Sequence, residues 1–162
     1  MGRPKAFDET DAVLAAAALF ADRVYAGVSV DDLVVALGVH RHSLYRTFGS
    51  KRGLYLAALR WRRENQLEPA LAETPATGGL EALNRALNQE REALDLFLIA
   101  AVEQASTDPG VATEVGLFFT ALDAAVARAL GEDHAAGSPS VAEATAAILG
   151  HRLRAKATGR PD

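Results

Sequence analysis

Arg41, His42, Tyr45 and Arg46 stand in two columns at i,i+4 spacing, Arg41 with Tyr45 and His42 with Arg46. Leu44 and Phe48, one turn apart, take the opposite side of the same short helix. A helix of this pattern buries two apolar residues and presents cations, an imidazole and a phenol outward. That chemistry suits contact with phosphates and base edges. Between Asp32 and Glu64 there is no acidic residue, whereas Arg41, Arg46, Lys51, Arg52, Arg60, Arg62 and Arg63 all fall there. Such a basic run is suited to lie against a polyanion. Lys51 falls in the first turn of the next helix, behind Ser50 as N-cap. A cation there opposes the helix dipole unless a phosphate sits against the helix start.

The elements that must position these residues read as short helices. Ser29 is an N-cap, Asp31 and Asp32 fill the first turn, and Val30, Leu33, Val34 and Leu37 recur at helical spacing. Gly38 stops that helix and the next begins near Arg41. Helix, glycine turn and outward-facing cationic helix make a helix-turn-helix. Before it, Asp8 or Thr10 caps a long alanine-rich helix to about Val24, with Val13, Ala17, Phe20 and Val24 inward. Tyr25 reads as a core residue in the link to Ser29. After it, Leu54, Ala57, Ala58 and Trp61 trace the inner face of a helix that starts at Ser50. Residues 1 to 6 carry Arg3 and Lys5 around Pro4. They read equally as an arm for a minor groove or as a basic terminus that touches nothing specific.

Charge separates the two ends of the chain. The formal net charge is −4 over 162 residues, yet residues 1 to 65 hold ten Lys/Arg against seven Asp/Glu and the remainder seven against fourteen. One end can meet a polyanion while the other does something else. Residues 66 to 79, with Pro69, Thr74, Pro75, Thr77, Gly78 and Gly79, read as a boundary or a long loop. The expected division is therefore 1–65 and 66–162. The second part shows only helical patterns: Leu80, Leu83 and Leu87 running on towards Glu92; a more uniformly apolar stretch from Leu94 to Ala105; a helix opened by Asp108 and Pro109 through Phe118 to Gly131; a loop from Glu132 to Pro139; and a last helix from Ser140 to about Lys156. The fold class is all-α.

The absence of cysteine excludes thiolate metal sites and disulfides and suits a reducing cytoplasm, where the chain is expected to work. No hydrophobic segment follows the first residues, and uninterrupted apolar runs such as Ala12 to Ala21 are too short to span a bilayer, so no membrane partner is expected. His40 and His42, at i,i+2 on a helix, diverge and have no close carboxylate, which argues against a metal. His134 falls in a loop and His151 on the last helix. There is no glycine-rich phosphate loop, nucleophile elbow or apolar carboxylate pair, so neither an enzyme nor a cofactor is expected. Trp61, Phe97, Phe118 and Phe119 could line a small-molecule pocket between the later helices, with Glu103 or Gln104 as polar handles. Taken singly, each aromatic reads more simply as bundle core.

Residues 7 to 60 resemble the DNA-binding domain of the TetR family of bacterial transcriptional regulators. The resemblance rests on Phe20 in the capped first helix, Ser29-Val30-Asp31-Asp32-Leu33, Ala36-Leu37-Gly38-Val39, Ser43-Leu44-Tyr45-Arg46-Thr47-Phe48 and Gly49-Ser50-Lys51-Arg52-Gly53-Leu54. It implies a three-helix DNA-binding domain followed by a helical ligand-binding and dimerisation bundle, shortened here. It implies that Arg41, His42 and Tyr45 face DNA, with Ser43 and Arg46 beside them. Thr47 would reach the backbone, and Ser29 and Lys51 would hold phosphates. The candidate ligand contacts, read from the side chains of the later helices, are Trp61, Phe97, Glu103 and Phe118. The resemblance further implies a homodimeric repressor of transcription, responsive to a small-molecule effector, on a pseudo-palindromic double-stranded operator. The alternative is a ligand-independent regulator whose second part serves only dimerisation or protein interaction. The sequence departs from the family where Val24 replaces a glycine at the end of the first helix, extending it towards Gly27. It departs again where His40 replaces the Ser or Thr cap of the recognition helix.

Overall fold

Residues 8–74, 79–131 and 139–158 are described by the computed structural model, and among them there are helices and no strands. The expected arm at residues 1 to 6, the segment 75–78, His134 in its loop and the last four residues lie outside the described residues. α1 (Glu9–Asp22) is capped by Asp8, which accepts from the N–H groups of Thr10 and Asp11. Its small residues Ala12, Ala16, Ala17 and Ala21 are buried with Val13 and Phe20, so α4, α7 and α2 can approach it closely. α1 stops at Asp22 rather than near Val24. Val24 is 53% exposed, not inward, and a single tight turn over Tyr25–Gly27 follows. Without a glycine at residue 24, the chain leaves α1 through extended backbone at Arg23 and Val24.

α2 (Val30–Leu37) and α3 (Arg41–Phe48) follow. Gly38 between them has φ +64°, a left-handed conformation that costs a glycine nothing. α4 (Lys51–Arg62) then runs into one widened π turn (Arg63–Leu67) and on into α5 (Glu68–Glu73). Residues 66 to 73, expected as loop, are thus helical. A proline inside a helix loses a hydrogen bond and crowds the carbonyl four residues back. For Pro69 that residue is Asn65, which lies in the widened turn. The inner face of α4 is Leu54, Tyr55, Ala58, Leu59 and Arg62, with Ala57 and Trp61 only half-buried.

α6 (Gly79–Gln89) ends at a kink on Glu90, short of the expected Glu92, and α7 (Arg91–Glu103) begins beyond it. α7 is the most enclosed helix, with Ala93 to Leu98 and Ala100 buried. α8 (Pro109–Leu130) packs on α4, α5, α6, α7 and α9 (Val141–Thr158). By length and composition alone α8 could cross a membrane. It contains no long uninterrupted apolar run, because Thr113, Glu114 and Thr120 punctuate the helix. Its Val111, Val115, Phe118, Leu122 and Val126 are buried in the bundle, as in a core helix. α9 is tied back by charge: Arg152 and Lys156 both donate to the buried Asp95 of α7, at 2.8 and 3.0 Å. The buried apolar residues form one continuous cluster from Val13 to Ile148.

A close backbone approach marks the start of α4. A Cβ on Gly53 would stand 1.9 Å from the Phe48 carbonyl oxygen that ends α3. Gly53→Ala should therefore force α3 and α4 apart at a cost of about 1–3 kcal/mol. Thermal unfolding should show a Tm lower by roughly 3–10 °C. A Tm within a degree of the parent would contradict this contact.

Candidate nucleic-acid interface

The outward face of α3 is positioned by its inward one. Leu44 is fully buried, and Phe48, Leu37 and Val39 are half-buried around it. The turn is closed by N–H donation from Val39 to the Val34 carbonyl and from Gly38 to that of Val35. Ser29 and Asp32 form a reciprocal capping box. The Ser29 hydroxyl accepts from the Asp32 N–H at 3.0 Å, and the Asp32 carboxylate accepts from the Ser29 N–H at 2.8 Å and its hydroxyl at 2.6 Å. Those bonds hold the Asp32 carboxyl below its ordinary range.

With the helix fixed in this way, Arg41, His42, Tyr45 and Arg46 are all exposed. Ser43 and Thr47 are half-buried beside them. Arg41 pairs with Asp31 on α2, but both ends are exposed and screened by solvent, so the pair is weak and exchanges easily. No side chain caps α3, because His40 at its N-cap makes no such bond. Ser29 is exposed, yet its hydroxyl and N–H are engaged by Asp32.

Lys51 does not project outward. Its ammonium donates to the Tyr25 carbonyl and lies 4.0 Å from the centre of the Tyr25 ring. Burial there lowers its pKa. Tyr25 also packs at 4.8 Å from the Tyr55 ring and 6.0 Å from that of Phe20. Tyr55 is almost fully buried, its hydroxyl has no partner, and burial raises its pKa.

The basic run from Arg52 to Arg63 is an internal device, which corrects the expectation that it lies against phosphates. Arg52 grips Asp108 through two hydrogen bonds of 2.5 and 2.8 Å. Arg60 and Arg63 both reach the buried Glu114, at 3.2 and 3.0 Å, and Arg63 also donates to Glu64 and Glu68. Arg62 is buried as well, with Gln66 and Glu92 as its partners. The acidic partners Asp108 and Glu114 lie more than fifty residues further along the chain, so counting charges locally misses them. The opposite charge of the two halves is the signal in the sequence, and it reflects mutual attraction as well as division of labour.

The four residues expected around a ligand are distributed among different contacts. Phe97 and Phe118 are fully buried and in contact with each other, ring centres 5.0 Å apart, with Phe119 5.5 Å from Phe118. Trp61 lines a cavity of about 280 Å³ between α1 and α4, beside Phe48. Glu103 faces the other way. Its carboxylate accepts from the Tyr25 and Ala26 N–H groups, at 2.6 and 3.0 Å, and so caps the turn that joins α1 to α2. Glu103 and Asp108 together dock the first four helices onto α7 and α8. Asp108 additionally caps α8 by accepting from Gly110 and Val111.

The Arg52 hydrogen bonds hold the Asp108 carboxyl down at about 2, against an ordinary 3.8. A depressed carboxyl contributes stability that is complete above its unfolded value and lost as pH falls through its folded one. Wild type should thus be more stable than Asp108→Asn at pH 5, and the Tm gap should narrow between about pH 4 and pH 2. A gap that stays constant over that window would show that the ion pair carries none of the docking.

Comparison with known proteins agrees with this architecture. Residues 13–58 match the model of the family described as bacterial regulatory proteins, tetR family. The HTH-type transcriptional regulator YezE of Bacillus subtilis is 32% identical over 121 residues, covering 69% of this chain and 62% of that protein. The HTH-type transcriptional repressor BdcR of Escherichia coli is 41% identical over 58 residues, covering 36% of this chain and 29% of that protein. The matched region thus spans about three fifths of the first relative and less than a third of the second. A TetR transcriptional regulator from Legionella pneumophila shares the fold at TM-score 0.72 and 16% identity, over 98% of this chain and 90% of that one. The TetR-family regulator PfmR from Thermus thermophilus does so at TM-score 0.69 and 23% identity, over 93% and 87%. Residues 13–58 thus match the tetR family of bacterial regulatory proteins, and the helical body behind them shares its fold with regulators of that family.

Proposed function

We propose that this chain is a sequence-specific DNA-binding transcriptional regulator, a ligand-responsive repressor that works in the cytoplasm as a homodimer on a pseudo-palindromic operator. The observation that carries the reading is α3 itself: four side chains able to meet phosphates and bases, all exposed on a helix anchored by the buried Leu44. In this account residues 1–65 form the reading head and residues 66–162 the effector-binding and dimerising part. Arg41 exchanges its exposed contact with Asp31 for a base edge, a bidentate contact to guanine being worth about 1–3 kcal/mol of discrimination. His42, Tyr45 and Arg46 read or brace beside it, Ser43 and Thr47 approach the backbone, and the uncapped start of α3 offers its amides to a phosphate. Ser29 and Lys51 reach phosphates only if they leave Asp32 and Tyr25.

Dimerisation is supported by α8 and α9, which pack together and each leave a large apolar side chain, Leu117 and Leu153, about half exposed. Two heads must then sit about 34–36 Å apart, or a multiple of it, to enter successive major grooves. An effector that favours another spacing shifts the population away from the binding state. The closed contact of Phe97 with Phe118 favours a second reading, in which residues 66–162 serve only dimerisation or protein interaction. The open groove between α5 and α6, about 510 Å³, keeps the effector reading in place.

Selection of bound duplexes from a random pool should return a two-fold symmetric site. Arg41→Ala should relax preference at one position in each half-site. Arg46→Ala should leave the Tm unchanged, weaken all sequences alike and lower the slope of log K against log salt by about one. A selected pool no tighter than random DNA, or binding insensitive to salt, would remove the proposal.

A further inference from the structure

Two adjacent arginines at the end of α4 are equally buried and very differently satisfied. The Arg63 side chain is 10% exposed and donates to Glu64, Glu68 and Glu114. The Arg62 side chain is 8% exposed, and one terminal nitrogen donates to the Gln66 amide oxygen at 2.6 Å. The other terminal nitrogen lies 3.5 Å from Glu92, at the limit of a hydrogen bond, and Glu92 is itself 66% exposed. The Arg62 Nε is buried with no partner at all. A guanidinium has five N–H donors and no means of losing its charge. A buried cation that lacks a close carboxylate is unfavourable unless something else supplies the negative charge.

Arg62 lines a cavity of about 300 Å³ at the corner between α6 and α7, with Asn88, Gln89 and Arg91 opposite. The cavity shares Gln66, Gln89 and Glu90 with the 510 Å³ groove between α5 and α6, so the two adjoin. Two further features point the same way. The N-terminus of α7 meets the cavity at Glu90 and Arg91, and no side chain caps it. The widened turn over Arg63–Leu67 carries Gln66 at the same place, and such turns often mark functional sites. Glu90 and Glu92 also line the cavity, but both stand at the α7 start, while the under-satisfied guanidinium is buried; that guanidinium, a second arginine, carboxamides and an uncapped helix N-terminus together favour a small oxyanion.

We infer that this groove binds a small carboxylate- or phosphate-bearing molecule, with Arg62 as its counter-charge and Gln66, Asn88 and Gln89 as neutral hydrogen-bonding partners. The inference rests on the effector-responsive reading above and names the chemical class of the effector. Glu92 is the tether that the incoming oxyanion replaces. Arg62 and Lys51 are the two ends of α4, the helix on which α3 packs, so an occupant at Arg62 acts on the rod that carries the reading helix.

The test is thermal unfolding of the full chain with succinate, inorganic phosphate or uncharged succinamide, at ionic strength held constant with chloride. Succinate or phosphate should raise the Tm by at least about 2 °C, the larger shift naming the anion class, while succinamide leaves it unchanged. Arg62→Met should abolish the shift, and Glu92→Gln, at an exposed position, should enlarge it. No shift with either anion overturns the inference, as does a shift that survives Arg62→Met. Should Arg62→Met fail to fold, a shift unchanged or reduced in Glu92→Gln overturns it on its own. DNA binding by the same wild-type protein without added anion separates the two readings. Selective DNA binding with no anion shift removes this site alone, and an anion shift without selective DNA binding removes the regulator reading and leaves the site.

Discussion

Two carboxylates on either side of one short turn, Glu103 at the end of α7 and Asp108 at the start of α8, fasten the first four helices to the rest of the molecule. Glu103 accepts the backbone N–H groups of Tyr25 and Ala26, and Asp108 takes the Arg52 guanidinium in a two-point grip. Each also sits at the end of a helix in the body, so the α7–α8 corner and the α1–α2 turn are placed by the same pair of side chains. Charge-assisted bonds of this kind are short, directional and stronger than neutral ones. The orientation of α3 follows from them, because α3 is held by α2 and α4, and both elements touch the fastened turn or the gripped arginine.

Behind the charged contacts lies an apolar one. α1 packs on α4 and α2 in the head and on α7 in the body, and its alanines permit that triple approach. The rings of Phe20, Tyr25 and Tyr55 fill the space beneath the Tyr25 turn, with the Lys51 ammonium over the Tyr25 ring. The head is joined to the body through a shared core and two carboxylates, Glu103 on backbone amides and Asp108 on Arg52.

The arginines separate into two populations that one-dimensional reading cannot distinguish. Arg41 and Arg46 are exposed, and the one partner of Arg41, Asp31, is itself largely solvent-exposed. Arg52, Arg60 and Arg63 neutralise Asp108 and Glu114, which lie on α8 or at its cap. Arg62 is buried with only the exposed Glu92 carboxylate, 3.5 Å away, and an unpartnered Nε, and that imbalance makes the α6–α7 corner a candidate for ligand chemistry. The same residue types, separated by a few positions on one chain, thus stand exposed on α3, paired across the joint or buried beside a cavity, according to what the fold brings opposite them.

The helix-turn-helix from Ser29 to Lys51 was determined by the sequence itself, because the forces that define it act within one turn of helix. The Ser29 and Ser50 caps, the acidic first turn of α2, the left-handed Gly38 and the Leu44–Phe48 side of α3 all depend on neighbours three to five residues away. The Asp108 cap and Pro109 at the start of α8 were legible for the same reason. Tertiary structure alone decided where the long side chains went. It turned Lys51 inward onto Tyr25, closed Phe97 on Phe118, and put Trp61 in the head. It moved Glu103 from an expected ligand handle to the joint between head and body, 78 residues from the amide it caps. It also carried helix through residues 66 to 73, where composition suggested loop, because packing of Leu67 and Leu71 outweighs the weak local signal of one proline. Ion pairs and aromatic contacts depend on distance in space, and that distance exists only once the bundle has formed.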